Sequence, residues 1–253
     1  MRNMIQWKMR RTARSVSFYI IAAIALVTAF AYLPSSLKDG MQSVPDLSFA
    51  TSSRIASMLV LVIGLYASVC VTHDVQERFL SVAVASGNSC FSVVLAEMLG
   101  FSATVFACIF VPSLLLFATA SLIPGLAHCG AVLGVKTIVW LLAYSTVCAT
   151  AFSIVLPLCL VVKSEGTSCI VNLIAILGFW SVTEALLQSG GEGLLLPFPA
   201  RAFPFTQLFL MCALDPGMPG FWGGTFLAII SAVCFAAIML LVSSFIFGKM
   251  EKK

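Results

Sequence analysis

Six stretches of this chain are apolar for long enough to carry a helix through a bilayer, where roughly 20 residues at about 1.5 Å each cross about 30 Å of hydrocarbon. They are Ser17–Leu33, Ile55–Thr72, Met98–Ile123, Thr137–Val162, Gly166–Leu187 and Phe221–Gly248. The third and fourth are uncharged and long enough to tilt, and Glu184 alone interrupts the fifth. Pro112 and Pro157 lie inside the third and fourth, where each is expected to kink its helix. The pattern predicts an all-α integral membrane protein of six transmembrane helices forming a single transmembrane domain over residues 1–253, with five or seven spans as the alternatives.

The polar and mixed connections are unequal. Residues 1–16 interleave Met4, Ile5, Trp7, Met9, Ala13 and Val16 with basic side chains. That suits an amphipathic helix at the inner interface, with Lys and Arg among head groups and Trp7 at the boundary. A secretory signal cleaved after Ala29-Phe30-Ala31 is the competing reading; cleavage would leave five spans and spoil the charge balance. Residues 74–89 join spans two and three with a charged start, a short helix-compatible stretch and a Ser86-Gly87-Asn88-Ser89 break that leads into another apolar helix beginning near Cys90 or Phe91. Residues 188–220 are too apolar for an ordinary loop. Their pieces of about ten apolar residues are too short to cross, so a re-entrant external segment is expected before span six.

Composition fixes the solvent. Of 253 residues, 60% are hydrophobic and 9% charged, whereas a soluble domain carries roughly a quarter charged residues. A globule this apolar cannot cover itself with polar groups, so its solvent is lipid. The 14 Lys and Arg residues divide unevenly in a six-span topology. Arg2, Lys8, Arg10, Arg11, Arg14, Arg78, Lys163, Lys249, Lys252 and Lys253 share one side; Lys38, Arg54, Lys136 and Arg201 share the other. The basic excess makes the first side cytoplasmic, with both termini there. The net charge of +4 includes no long basic run beyond the first 14 residues, so no nucleic-acid partner is expected.

Catalytic and metal signatures are missing from the sequence. The nine cysteines stand singly and there are two histidines, His73 and His128; clustered zinc spacings do not occur. Only Cys129 and Cys212 would meet on the outer face. There is no G-x-x-x-x-G-K-[ST] phosphate loop, no G-x-S-x-G elbow and no H-E-x-x-H pair, so no cofactor is expected in this chain.

A basic amphipathic start, a short cytoplasmic helix between spans two and three, and an apolar external segment before span six together make a layout that resembles the six-helix permeases of ABC-2 type exporters. It is most similar to the compact permeases of the lantibiotic-immunity ABC transporter group. In that family the second-to-third link starts acidic, passes a Gly-Thr-like step and ends in Gly-Ser-Arg before a Lys-bearing helix. Asp74 and Glu77 match the acidic start and Ser86-Gly87-Asn88-Ser89 the break. Arg78-Phe79 replaces the Gly-Thr step, and Glu97 stands near the expected Lys.

The resemblance implies a subunit without its own ATPase in a bacterial cytoplasmic membrane. It would pair with a second permease, the same or a homologous chain, and with separate ABC ATPase subunits that bind ATP and Mg. The link would be the coupling helix, with Asp74, Glu77, Arg78, Phe79, Leu80 and Val82 meeting the ATPase. Spans two and five would line the path, capped by the external segment.

Helical spacing places Ser57, Gly64 and Ser68 on one face of span two, either lining a path or letting helices pack closely. Asn172 and Thr183, eleven positions apart, share a face of span five. Glu184 follows. A charge at the bilayer centre costs about 2.5–3.5 kcal/mol and less near an interface, so Glu184 is either interfacial or paired with Arg201 as an outer gate. Glu97 reads as an interfacial or coupling-region residue, with a proton relay as the alternative. The expected function is export of a hydrophobic or amphipathic substrate, an antimicrobial peptide or a lipid-like molecule. The alternatives are a stand-alone secondary transporter of a small solute and a membrane-embedded enzyme.

Overall fold

The computed structural model describes residues 6–8, 10–11, 16–38, 62, 65–66, 68–77, 79–122, 131–162, 164–189, 204–212, 214 and 220–250. Among them there is no strand. The helices are α1 (Val16–Lys38), α2 (Phe79–Ala85), α3 (Cys90–Ala120), α4 (Ala131–Ala151), α5 (Val155–Val161), α6 (Glu165–Ser189), α7 (Pro204–Cys212) and α8 (Phe221–Met250). Residues 6–8, 10–11 and 68–76 are helical as well.

Four helical stretches are long and apolar enough to cross a membrane: Cys90–Ala120, Val132–Val161, Glu165–Thr183 and Phe221–Met250. The chain is therefore a helical membrane protein. The apolar part of α1, Phe18–Ala31, is shorter. Of the expected second span, residues 62, 65–66 and 68–72 are described and helical, while Ser57 and Gly64 lie outside the described residues.

The connection between residues 74 and 89 differs from a single link helix. Residues 74–76 continue the preceding helix, a turn follows at Glu77, and α2 is seven residues long. The Ser86-Gly87-Asn88-Ser89 break then acts residue by residue. Ser86 Oγ and Asn88 Nδ2 both donate to the Ala83 carbonyl, at 2.8 and 2.9 Å, satisfying an orphan acceptor at the end of α2. Gly87 turns the chain with φ of 95°, a conformation that favours glycine. Ser89 then caps α3, its Oγ accepting from Ser92 N–H at 3.2 Å. This cap starts the helix at Cys90, where the break predicts it and ahead of the apolar span that opens at Met98, which puts Glu97 two turns inside the helix.

The two prolines behave differently. α3 runs continuously through Pro112. Near Pro157 the expected fourth span breaks into α4, a 3₁₀ turn at Phe152–Ile154, and α5. Pro157 has no N–H and crowds the carbonyl four residues earlier, at Ser153, so the tighter turn falls where the α-helical bond is lost.

α4 is the centre of the packing, against α3, α7 and α8, and α1 lies along α3. Trp140, Leu141, Tyr144 and Val147 of α4 are buried. Trp140 stacks on Tyr144 at 4.8 Å and donates its indole N–H to the Met211 carbonyl of α7 at 3.0 Å. At nine residues, roughly 14 Å, α7 is too short to cross a bilayer. α6 and α8 leave Ile170, Ile174, Phe226 and Leu241 exposed, as helices do where the solvent is hydrocarbon.

Candidate functional site

The end of the bundle that carries the link holds a buried knot of charge. Lys8 comes from the amino-terminal helical residues, Asp74 from helical residues 68–76 and Glu97 from α3. All three are buried, at 8%, 1% and 3% exposure. Lys8 Nζ is ion-paired with Asp74 Oδ2 and lies 2.6 Å from Glu97 Oε2. Arg11 Nη1 meets the other Asp74 oxygen at 2.5 Å. Two cations thus face two carboxylates.

Backbone geometry makes room for this. A Cβ on Gly100 would stand 2.7 Å from Lys8 Cγ, so glycine at this position lets the lysine stem pass α3 and reach both acids. Desolvation works against the Lys8 ammonium, but Glu97 and Asp74 outweigh it and hold its pKa above the ordinary lysine value.

Aromatic packing ties the same helix to the link. Trp7 stacks on Phe79 of α2 with ring centroids 4.4 Å apart and planes 12° from parallel. Arg11, one helical turn on, covers the other part of the Trp7 ring at 5.4 Å. The amino-terminal helix is therefore docked on protein through Lys8, where the sequence pattern had placed its basic side chains among head groups.

Beside the knot lies a cavity of about 270 Å³, half open, lined by Lys8, Arg11, Tyr66, Val69, Cys70, His73, Asp74 and Glu165. His73 bridges its rim: Nδ1 is 3.2 Å from Glu165 Oε1 at the start of α6, and Nε2 is 3.1 Å from Glu77 Oε1. A neutral imidazole donates from one nitrogen only, so both contacts are hydrogen bonds only in the imidazolium. Among the described residues no group of three or more His, Cys, Asp or Glu is placed to hold a metal ion.

Towards the middle of the bundle an uncharged polar chain follows. Asn172 Nδ2 donates to Ser68 Oγ at 2.7 Å and approaches Cys159 Sγ at 3.1 Å and Ser168 Oγ at 3.3 Å. Thr72 Oγ1 donates to Ser168 Oγ at 2.9 Å. Ser68, Thr72, Ser168 and Asn172 are fully buried. This links residues 68–72, α5 and α6 in the manner of polar side chains that join helices in lipid.

The predicted residues fall into distinct groups. Ser68 and Asn172, both expected on a path, meet each other, buried within one chain. Thr183 is also buried and donates to the Phe179 carbonyl at 2.8 Å. Its shared face with Asn172 is a packed one. Glu184 is helical, but its side chain lies outside the described residues, as do Ser57, Gly64, Arg78, Arg201, Cys129 and the Cys212 side chain.

On the link, Asp74 and Leu80 were expected at a partner surface and instead face the protein, at 1% and 2% exposure. Asp74 is held by Lys8 and Arg11, while Leu80 lies on the face of α2 that packs on α3. Phe79 is half-buried against Trp7. Glu77 and Val82 are exposed, Val82 at 62%.

Reading the sequence had missed Lys8, Arg11 and Glu97 as one cluster, the His73–Glu165 contact, and Thr72, Ser168 and Cys159 in the polar chain. The single charge of Glu97 inside an apolar helix was the one signal available. Comparison with known proteins adds no family: no protein-family description matches the chain, and no curated protein matches it.

Proposed function

We propose that this chain is the permease subunit of an ATP-driven exporter of the ABC-2 type. It would cross the membrane six times with both termini cytoplasmic, and would move a hydrophobic or amphipathic substrate outward. The observation that carries the reading is the way α2 is mounted. A seven-residue helix packs on α3, its Leu80 and Ala83 face buried and its Val82 face open. It is braced from outside by the Trp7–Phe79 stack and, at its base, by the charged knot. A short helix gripped on one face and free on the other is a mechanical contact for a soluble partner, here a separate ATPase that binds ATP and Mg.

The partner-facing set would be Glu77 and Val82, with Arg78 expected beside them from the sequence and Phe79 acting as the brace. With Ser68, Asn172 and Thr183 packed inside the chain, a path completed by a second permease copy would be gated at its outer end by Glu184 and Arg201. α7 would be the external re-entrant piece before the last span.

The test is purification in mild detergent with identification of co-purifying proteins, followed by Glu77→Arg and Val82→Asp. An ATPase subunit should accompany the parent and be lost, or lose its transport-stimulated turnover, in the variants. Parental behaviour of both variants, or the lack of any ATPase partner, would remove the reading.

One observation favours a second reading. Two buried carboxylates and a lysine beside a cavity, as at Asp74, Glu97 and Lys8, are the kind of intramembrane ionisable set that ion-coupled transporters use. Gradient-driven solute uptake by the purified chain alone would select it.

A further inference from the structure

We infer that the cavity beside the charged knot is a binding site for a zwitterionic phospholipid head group bearing a phosphate and a primary amine, that is, phosphatidylethanolamine. Four observations carry the assignment. The first is size: about 270 Å³ falls just under the roughly 300–1,000 Å³ of pockets that enclose whole small molecules. A head group fits and a whole amphiphile does not.

The second is charge. The two side chains with capacity left are of opposite sign. Arg11 spends one nitrogen on Asp74 and is 38% exposed along its side chain. Glu165 meets His73 through Oε1 and is 40% exposed. A guanidinium with free donors recognises phosphate, and a carboxylate receives an ammonium. Lys8 cannot serve the phosphate, since it is buried between Asp74 and Glu97.

The third is the pairing across the lining, which opposes Lys8 and Arg11 with Asp74 and Glu165. An anion alone would set its charge against Glu165, which keeps an oxygen beyond its His73 contact to receive an ammonium, and this disfavours a purely acidic lipid. The fourth is the exit. Val69 lines the cavity, and Leu65 lies one turn further along the same helical face; both are exposed, at 44% and 40%. They continue the cavity as an apolar strip running away from the charged end, the course an acyl chain takes once its head group is seated. The assignment needs residues 62–76 to run beside lipid, which is part of the six-span reading, and needs nothing of the ATPase pairing.

The experiment is native mass spectrometry of the full chain in mild detergent. Phosphatidylethanolamine, phosphatidylglycerol and phosphatidylcholine of matched acyl chains are titrated, with free phosphoethanolamine as competitor. Phosphatidylethanolamine should be retained best, by about fivefold, the size of effect a partly exposed ion pair supplies. Glu165→Gln should erase that preference while leaving phosphatidylglycerol retention unchanged. Equal retention of the three lipids, preference for phosphatidylglycerol, or an unchanged preference in Glu165→Gln would overturn the assignment. Displacement by equimolar free phosphoethanolamine would overturn the lipid and leave a soluble zwitterion. The parent's head-group series decides the matter even if the variant does not fold, and its outcome is separate from ATPase co-purification.

Discussion

Helical residues 68–76 carry two kinds of buried polarity within two turns of each other. At one end Asp74 sits in a knot with Lys8, Arg11 and Glu97; further along, Thr72 and Ser68 join an uncharged chain with Ser168, Asn172 and Cys159. The charged set is closed by charge rather than by hydrogen bonds: each carboxylate meets a cation, although Glu97 Oε2 is buried with no hydrogen-bond partner. The uncharged chain is open: Asn172 Oδ1 is buried with no hydrogen-bond partner, and no member depends on another to cancel a charge. The same helix is thus held by one junction that fails as a unit and by another that fails piecemeal.

The largest effect should come from the closed set. Lys8→Met leaves Glu97 buried without a cation and Asp74 with Arg11 alone, and removal of one partner from a buried ion pair costs about 3–5 kcal/mol. Thermal unfolding in detergent should show a marked drop, with proteolysis appearing within the first helical residues. The double variant Lys8→Met, Glu97→Gln should recover much of the loss, since the stranded carboxylate has gone and Asp74 keeps Arg11. If the double variant is as unstable as the sum of the two single ones, the knot is not a unit.

A middle effect is expected at the brace. Phe79→Ala removes the Trp7 stack and half-buried ring area, together about 2 kcal/mol. The loss should concentrate in the amino-terminal helix and α2, read as faster amide hydrogen exchange there and unchanged exchange in α4 and α8. Uniform acceleration through the bundle would count against a local brace.

The open chain should yield least among the substitutions. Asn172→Leu removes interhelical hydrogen bonds of the kind worth about 0.6 kcal/mol in a membrane protein, and also removes the unpartnered carbonyl. A small shift in unfolding temperature, of either sign, is expected. A loss as large as that of Lys8→Met would erase the distinction between the two junctions.

Smallest of all is the effect of mild alkali. Lys8 is held above the ordinary lysine pKa of about 10.4. A raised lysine contributes stability that is fully present below the unfolded value and is lost as pH rises through the folded one. Between pH 7 and pH 10 the parent should therefore show no loss from this group. Above that range stability should fall, and Lys8→Met should lack this component. Loss of the Lys8 contribution already at pH 8–9 would contradict the direction of the shift.

Much of the architecture could be read in the apolar runs. Their length placed helices over residues now found in α1, α3, α4 with α5, α6 and α8, because a helix in lipid needs only uninterrupted apolar sequence and internal hydrogen bonds. The Ser86-Gly87-Asn88-Ser89 break was legible because caps and positive-φ turns are local chemistry. The helix start at Cys90 follows from the Ser89 cap, which acts over three residues. Pro157 was legible as a disruption, although α3 shows that a proline need not break its helix.

Pairings between distant residues were not legible. Lys8 and Asp74 are 66 positions apart, and Ser68 and Asn172 are 104 apart. Nothing in a run of sequence specifies which helix faces which. Lys8 read as a head-group contact because its neighbours are basic and amphipathic; Gly100, on another helix, is what admits its stem. Asp74 and Leu80 read as a partner surface because the resemblance places the whole link against an ATPase, whereas Lys8, Arg11 and the packing of α2 turn them inward. Sequence by itself determined the solvent, the helices and their ends, all set by composition and by interactions within a few residues. Only the tertiary structure decided which polar groups are buried together, because in a bundle whose outer faces are uniformly apolar the hydrophobic pattern ranks no packing above another, and close approach, charge pairing and room for a side chain make the choice.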